Sequence, residues 1–410
     1  MQKKELIPHL YRTEFRKITA VLAKLFGIAH IEIAEDIVSD TFLIAAETWG
    51  LKGIPQNPAA WLYTVAKNKA RDFLRRDTLF SQKISEELRQ SMPGSHEIEI
   101  DLSGKNIQDS QLQMMFAICH PGIPPEAQIG LSLRILCGFS IEEIADAFLS
   151  NKETINKRLF RAKEKLRQLH AKIELPPPTE IGRRIENVLT TLYLLFNEGY
   201  YSSSKNTVLR KDLCLEAMRL NYLLIENKST NMPFANALLS LMCFHASRFE
   251  ARINPKGELI LYDEQDTSLW DRDLIDKGTY FLNKASTGNE LSKYHLEAAI
   301  AYWHTTIGND SLKWEKILHL YNQLLIIEYS PMAALNRTFA LAKVYGNEIA
   351  IVEAEKLSLH NNHLYHSLLG ELYADIDKQQ ALIYLNKALK MNQSAAYKKI
   401  ILARIKKLDE

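Results

Sequence analysis

The sequence contains few residues that cross-link a chain or interrupt a helix. Only 4 of its 410 residues are cysteine, and no two of them form a C-x-x-C pair. This spacing argues against a disulfide framework and a cysteine-rich zinc site, and it is typical of a reducing compartment. Glycine (16) and proline (13) are sparse, and no run shows the period of two that strands require. The sequence therefore predicts an all-α fold.

Long apolar segments are also lacking. No stretch reaches the roughly 18 uncharged apolar residues that a membrane span requires, and the first 17 residues have no signal-peptide core. We therefore expect a cytoplasmic protein with no membrane partner. The 46% hydrophobic content excludes a disordered chain. The net charge of +2 does not indicate a nucleic-acid partner by itself, but charge is clustered locally.

Polar and proline-rich stretches divide the sequence into three helical blocks. The first block covers residues 8–77 and is followed by a polar linker, 78–109. The second block covers 110–172 and ends before Pro176–Pro178, which no helix crosses. The third block, 179–410, reads as a long series of amphipathic helices. The predicted organisation is two small helical domains followed by a larger helical one.

The third block contains weak internal repetition, clearest in residues 368–392. Small and aromatic residues recur there at nearly the spacing of a tetratricopeptide helix pair. They are Gly370, Tyr373, Ala381, Tyr384 and Ala388. This pattern predicts a tetratricopeptide-like stack of helix pairs, and the alternative is an irregular helical bundle.

The second block ends in a pattern typical of a helix-turn-helix. Ser140 with Glu143, and Ser150 with Glu153, each have the spacing of a capping box that opens a helix. A short turn separates the two helices, as in the DNA-binding motif. The predicted buried stripe of the second helix is Ile155, Leu159, Ala162 and Leu166.

Basic side chains dominate the rest of this second helix. They are Lys152, Lys157, Arg158, Arg161, Lys163, Lys165 and Arg167. Such a helix can enter a major groove with its first turns and hold phosphates along its sides. The alternative interpretation is a solvated basic helix in a bundle.

The first block contains a second basic helix. Asn57 and Pro58 are typical of a helix start. The cations that follow are Lys67, Lys69, Arg71, Arg75 and Arg76. Aromatic residues lie among these cations, a combination that suits unstacked single-stranded DNA. Trp61 is the exception, because core packing is the favoured interpretation of its side chain.

A helix of opposite charge lies just upstream. Its acidic residues are Glu32, Glu35, Asp36, Asp40 and Glu47. An acidic helix does not bind the polyanion that its basic neighbour binds. This helix therefore suits a cationic protein partner, or else it only faces solvent.

The order of these segments resembles that of a bacterial RNA polymerase sigma factor of the extracytoplasmic-function class. The segments are AEDIVSDTF, NPAAWLYTVAKNKARDFLRR, a linker and a helix-turn-helix closing in RLFRAKEKLR. The first block resembles region two, which docks on polymerase and melts the minus-ten element. The second resembles region four, which reads the minus-thirty-five element. In the third block, LYLLFNEGY and GELILYDEQDTSLWD resemble the subgroup with a long tetratricopeptide-like extension.

The resemblance implies three sets of contact residues. Those for the basic coiled-coil clamp of core polymerase are Glu35, Asp36, Asp40 and Phe42. Those for the minus-ten strand, beside a base-capturing loop at 53–57, are Tyr63, Asn68, Lys69, Arg71, Arg75 and Arg76. Those for the minus-thirty-five element are Thr154, Asn156, Lys157, Arg158, Arg161 and Lys165.

A sigma factor makes no bond itself, so we expect no enzyme activity, no cofactor and no metal site. The expected partners are core RNA polymerase and promoter DNA. The third block is expected to regulate initiation, with a small protein or peptide as a candidate partner. An alternative function is a scaffold whose amino-terminal half binds DNA without polymerase.

Carboxylates in the third block lie in two motifs, NEGY (197–200) and DEQD (263–266). The same block contains His245, Arg248 and Arg252. A hydrolase site can be imagined from these groups, but buried ion pairs or solvated faces are the favoured interpretation.

Overall fold

The computed structural model describes residues 3–76, 100–148, 150–200, 209–254, 259–306, 311–392 and 395–409. Within these ranges the chain is helical apart from turns, loops and one isolated β-bridge between Ile253 and Leu259. The predicted all-α fold is confirmed. None of the described helices has the length and hydropathy of a membrane-spanning segment. The chain forms two compact units, unit 1 (Met1–Leu194) and unit 2 (Leu195–Glu410).

Unit 1 is built from seven described helices and the first part of an eighth. They are α1 (Lys3–Phe26), α2 (Ile31–Lys52), α3 (Pro58–Arg76), α4 (Gly104–Ile118), α5 (Pro125–Leu131), α6 (Ile141–Ala147), α7 (Lys152–Gln168) and α8 (Pro178–Tyr200). One π-helical turn, Ser132–Leu136, continues α5. The core of unit 1 includes Phe15, Leu22 and Phe116, which are fully buried.

Two predicted helix starts are confirmed by their hydrogen bonds. The Ala60 backbone N–H donates to Asn57 Oδ1 at 3.0 Å, so Asn57 caps α3. At α6 the Ser140 N–H donates to Glu143 Oε2 at 2.9 Å, and the Glu143 N–H donates to Ser140 Oγ at 3.2 Å. This reciprocal pair is the predicted capping box.

Two other starts differ from the prediction. The cap of α7 is Asn151, whose Oδ1 accepts a hydrogen bond from the Thr154 N–H at 2.8 Å, so Ser150 was the wrong cap. Helix α4 begins at Gly104, inside the predicted linker, because Ser103 caps it there. The rest of that linker, 78–99, lies outside the described residues.

Unit 2 continues from α8 through ten more described helices. They are α9 (Lys211–Glu226), α10 (Pro233–Ala246), α11 (Arg272–Ala285), α12 (Lys293–Thr305), α13 (Ser311–Ile327), α14 (Pro331–Tyr345), α15 (Asn347–Lys356), α16 (His363–Tyr373), α17 (Lys378–Met391) and α18 (Ala395–Asp409). Two single 3₁₀ turns, Tyr262–Glu264 and Thr267–Leu269, connect α10 to α11.

Helices α16 and α17 pack closely at the positions that the repeat pattern singled out. A Cβ added to Gly370 would lie 2.7 Å from Leu385 Cγ, so only glycine fits there. The rings of Tyr373 and Tyr384 stack with their centroids 5.6 Å apart.

All four cysteines of the chain are buried and free of disulfides.

Candidate functional site

The acidic face of α2 is paired with basic side chains of unit 1. Glu35 is 7% exposed, and its two carboxylate oxygens accept hydrogen bonds from Arg134 Nε at 3.0 Å and Lys163 Nζ at 2.6 Å. Glu32 accepts a hydrogen bond from Arg167 Nη2 at 2.5 Å. Lys163 and Arg167 both belong to α7. We call these five ion-paired residues the α2–α7 ionic contact. Glu32 and Glu35 lie on one side of it, and the cations Arg134, Lys163 and Arg167 lie on the other.

This ionic contact joins the acidic helix to the predicted recognition helix. Arg167 adds a hydrogen bond to the backbone, from its Nε to the Ala29 carbonyl oxygen at 2.8 Å. Because Glu35 is buried, loss of either cation would leave a desolvated charge. Within unit 1, Glu32 and Glu35 are therefore paired with cations of α7 in the same chain, and a cationic protein partner for α2 stays a prediction.

The other predicted polymerase contacts of α2 lie in two different environments. Asp36 is exposed, and Asp40 accepts a hydrogen bond from Lys69 Nζ at 3.0 Å while its side chain stays 62% exposed. Phe42 is only 5% exposed, and its ring centroid lies 5.1 Å from that of Tyr11. Asp36 and Asp40 are thus on the surface. Phe42, predicted as a contact, belongs to the core in this arrangement because its ring packs against α1.

The predicted minus-ten residues are spread along α3. Tyr63 is half-buried and donates a hydrogen bond to Glu14 Oε2 at 2.5 Å. Burial, followed by the Glu14 carboxylate, raises the pKa of Tyr63. Its hydroxyl is therefore held protonated and already bonded. Trp61 is half-buried with its ring centroid 5.3 Å from that of Trp49, which fits the core interpretation.

The cations of α3 differ in their surroundings. Asn68 and Arg75 are exposed, and Arg71 is half-buried with its Nε shielded from solvent. Lys69 is engaged by Asp40, as described above. The side chain of Arg76 lies outside the described part of the structure.

The exposed side of α7 brings most of the predicted minus-thirty-five residues together. A groove of about 420 Å³ has polar and basic walls formed by Thr154, Lys157, Arg158, Arg161 and Lys165. Its apolar residues are Ile123, Pro124, Ala127 and Ala162. Asn156 is exposed but does not line this groove.

Helix α7 therefore has three faces with different partners. The predicted stripe Ile155, Leu159, Ala162 and Leu166 is buried, as expected. Lys163 and Arg167 face α2, and the groove residues face solvent. Lys157 is paired with Glu153 at 2.6 Å, and the Arg158 guanidinium lies 5.5 Å from the ring centre of Phe148. Because side chains three or four residues apart share one side of a helix, the basic groove residues and the pair Lys163 and Arg167 lie on different sides of α7.

Two residues of this site were not singled out from the sequence. Arg134 lies in the π-helical turn, where it binds both Glu35 and the Phe139 carbonyl oxygen at 3.2 Å. A single cation inside the apolar run IGLSLRILCGF was the available signal, since a charge in such a run requires a partner. Glu14, the acceptor for Tyr63, carried no comparable signal.

In unit 2 the expected ion pairs of Arg248 are absent among the described residues. Arg248 donates a hydrogen bond to the Tyr200 hydroxyl at 3.3 Å instead. Asp263 lies 3.6 Å from Lys343, and Asp266 caps a 3₁₀ turn at Ser268. No described set of three or more His, Cys, Asp or Glu side chains is arranged to hold a metal ion.

Comparison with known proteins identifies two family matches. Residues 10–79 match the model of sigma-70 region 2, and residues 184–286 match a family of unknown function, DUF6596. The chain is 32% identical over 363 residues to the uncharacterized protein R00370 of Rhizobium meliloti, covering 88% of the chain and 86% of that protein. It is 29% identical over 108 residues to the ECF RNA polymerase sigma-E factor of Haemophilus influenzae, covering 25% of the chain and 57% of that factor. No solved structure matches the chain.

Proposed function

We propose that the chain, which belongs to the same family as the Rhizobium meliloti protein R00370 and carries a sigma-70 region 2, acts as a sigma factor. In this proposal it binds core RNA polymerase in the cytoplasm and directs promoter-specific initiation. The observation that carries the proposal is the match of residues 10–79 to region 2, since these residues hold both the acidic α2 and the basic α3. The similarity to a sigma-E factor supports the same role.

Polymerase docking is assigned to the acidic surface of α2. Asp36 and Asp40 are exposed to a basic partner, which at Asp40 would replace Lys69. Glu32 and Glu35 are held by Lys163 and Arg167 of α7. A basic polymerase surface would compete with α7 for these two carboxylates. Docking on polymerase would therefore also release α7.

Promoter opening is assigned to α3 and the loop before it. The loop 53–57 is largely exposed, and Gly53 has a positive φ of 87° that favours glycine. We assign capture of a flipped base to this loop. Asn68 and Arg75 are exposed on the same helix and can hold the displaced strand. Lys69 becomes available when Asp40 binds polymerase instead.

Recognition of the minus-thirty-five element is assigned to the exposed face of α7. Thr154 and Asn156, in the first turns of α7, are the proposed base contacts. Arg161 and Lys165, further along the groove, are the proposed phosphate contacts. A sigma factor of this kind uses the magnesium chemistry of polymerase and supplies no catalytic group.

Unit 2 is assigned a regulatory role. Most of the DUF6596 match, residues 184–286, falls in this unit. We propose that its helices stack as tetratricopeptide-like pairs and present a surface to a small protein or peptide. Loss of unit 2 is then expected to change transcription without abolishing the DNA contacts of α7.

Binding to core polymerase tests the docking assignment. Asp36→Lys combined with Asp40→Lys should reduce the affinity for core polymerase at least tenfold, because two attractive contacts become repulsive. Thermal unfolding should be nearly unchanged, since both side chains are exposed. The matched control is Glu180→Lys combined with Glu186→Lys, two exposed carboxylates of α8. Equal affinities of both double variants would contradict the assignment to α2.

A further inference from the structure

Unit 2 contains a group of cationic and aromatic side chains that the proposed function does not use. They come from the end of α8, the end of α10 and the loop after it, the end of α12 and the start of α13. We name this group the cationic cluster, and its members are Tyr200, His245, Arg248, Arg252, Tyr262, His304 and Lys313. Arg248, Arg252 and Lys313 are only 9%, 8% and 5% exposed. An arginine such as Arg248 is rarely buried to this extent unless an anion neutralises it.

The contacts of Arg248 are all with neutral groups. Its Nη2 donates to the Tyr200 hydroxyl at 3.3 Å, and its guanidinium lies 5.2 Å from the ring centre of Tyr262. Its buried Nε has no hydrogen-bond acceptor among the described residues. No described carboxylate forms an ion pair with Arg248. Because arginine stays charged inside proteins, a buried positive charge and an unused donor are left at this position.

The neighbouring cations add to the same positive potential. The Arg252 guanidinium lies 3.9 Å from the ring centre of Tyr200. Lys313 Nζ donates to the Tyr262 hydroxyl at 3.1 Å and to the Thr306 carbonyl oxygen at 3.0 Å. These tyrosine contacts connect Arg248 to the other two cations.

The nearby acidic motif is used elsewhere. Asp263 lies 3.6 Å from Lys343 Nζ, and Asp266 accepts a hydrogen bond from the Ser268 backbone N–H at 2.9 Å. Both carboxylates therefore have partners outside the cationic cluster, and the charge of Asp263 also acts on Tyr262. The positive charge of Arg248 is not neutralised by the DEQD motif that lies close to it in the sequence.

The titratable members of the cluster respond to this field. Burial, then the charges of Arg248 and Arg252, hold the pKa of His245 well below its usual range. Burial, then Arg248 and Lys313, lower the pKa of His304 to about 3. Burial raises the pKa of Tyr200, but the two arginines outweigh it and the net shift is downward. Burial raises the pKa of Tyr262, although the charge of Arg248 acts in the opposite direction. Both histidines are therefore held neutral, and the arginine charges favour an anion at Tyr200 but do not outweigh burial at Tyr262.

We propose that the cationic cluster is a binding site for a small oxyanion, either phosphate or the carboxylate group of a small molecule. The anion accepts hydrogen bonds from Arg248 Nε and from the buried Nδ1 atoms of His245 and His304, which also have no acceptor. Two or more donors around one oxyanion are the usual arrangement of arginine-based recognition. This proposal does not depend on the sigma-factor role, because it rests on unit 2 alone.

Thermal unfolding of the full chain tests the site directly. Inorganic phosphate and acetate are each titrated against sodium chloride at equal ionic strength, with tryptophan fluorescence as the readout. At a hundredfold excess over the dissociation constant, a site-specific anion should raise the Tm of unit 2 by about 5 °C. A Tm shift with phosphate indicates a phosphate site, and a Tm shift with acetate indicates a carboxylate site. No shift beyond that of chloride with either anion would overturn the proposal.

Substitution of Arg248 provides a second test of the proposed anion site. Arg248→Met should abolish the anion-dependent shift, and its Tm without anion should equal or exceed that of the native chain because a buried charge is gone. Arg219→Met, at a unit 2 arginine already paired with Glu216 at 2.8 Å, should keep the full shift. If Arg248→Met does not fold, Arg248→Lys replaces it and should weaken anion binding at least tenfold, since lysine lacks the planar fork.

An internal counter-ion is the competing explanation. If Tyr200 were ionised between the two arginines, the native protein would show phenolate absorbance at neutral pH, and Tyr200→Phe would remove it. That result would overturn the proposal, because the chain would then neutralise Arg248 itself. Absence of phenolate absorbance together with a phosphate or acetate shift that requires Arg248 supports it.

Discussion

At the scale of single residues, Glu35 has the most demanding environment in unit 1. Its carboxylate is almost fully buried and serves Arg134 and Lys163 at once. Glu35→Gln should lower the free energy of unfolding of unit 1 by about 3 kcal/mol, because two partly buried cations lose their counter-ion. Urea dependence of amide hydrogen exchange in α2 and α7 of the full chain measures this change, because it reports unit 1 separately from unit 2.

Asp40→Asn is the matched control for Glu35→Gln. It removes a carboxylate that also pairs with a lysine but whose side chain is 62% exposed. Exposed pairs contribute at most about 1 kcal/mol, so the control should change stability little. Similar losses in both variants would mean that burial does not set the strength of the α2–α7 contact.

His304 makes the stability of unit 2 depend on pH. Its pKa is about 3 in the folded chain, below the ordinary 6.5, so the fold favours the neutral ring. This contribution is complete above about pH 6.5 and is lost as the pH falls towards 3. Between pH 7 and pH 5 the native chain should lose up to about 2 kcal/mol that His304→Phe retains.

Urea unfolding of unit 2 at pH 7 and pH 5 measures the His304 effect. Replacing the exposed His319 by phenylalanine is the control. A His304→Phe chain that loses as much stability as the native chain over this range would contradict the expected coupling.

The sequence predicted the charge and polarity of these residues better than it predicted which residues they contact. The acidic character of α2 was readable, but the pairing of Glu35 with Lys163 joins residues 128 positions apart. Local patterns contain no information on such a contact. The burial of Phe42 is a similar case, since its hydrophobicity fits a surface contact as well as the core and only packing against Tyr11 places its ring in the core.

At the scale of helices, the start of α7 gives a sharp comparison between adjacent residues. Asn151→Ala should destabilise unit 1 by about 1 kcal/mol, because the Thr154 N–H loses its acceptor. Ser150→Ala should have almost no effect, since the Ser150 side chain does not cap α7. Chemical denaturation of the two variants measures the difference. The reverse order of stability would restore Ser150 as the cap.

Periodicity predicted the helices more reliably than their ends. The buried stripe of α7 follows from spacings of four, three and four residues, and all four side chains are buried. The end positions are harder because S-x-x-E and N-x-x-T fit overlapping starts at 150 and 151. In the structure Asn151 is the cap, because its Oδ1 accepts the hydrogen bond from the Thr154 N–H.

At the scale of the whole molecule, the sequence predicted the class of fold but not the limits of the compact units. The proline run Pro176–Pro178 is an evident break in the sequence, and Pro178 indeed starts α8. The compact unit 1 nevertheless extends to Leu194. Arg184 and Thr191 of α8 donate hydrogen bonds to the Phe116 carbonyl oxygen at 2.7 Å and to Gln128 Oε1 at 3.0 Å. Such tertiary contacts have no local signature.

Run-off transcription shows whether the chain acts as a sigma factor. Core RNA polymerase is incubated with genomic promoter templates, with and without the full chain, and transcript 5′ ends are mapped. A sigma factor should give discrete starts that require the chain, share sequence elements at two upstream positions, and disappear with the Asp36→Lys, Asp40→Lys double variant. A chain that binds these templates but yields no start beyond those of core polymerase alone would contradict it.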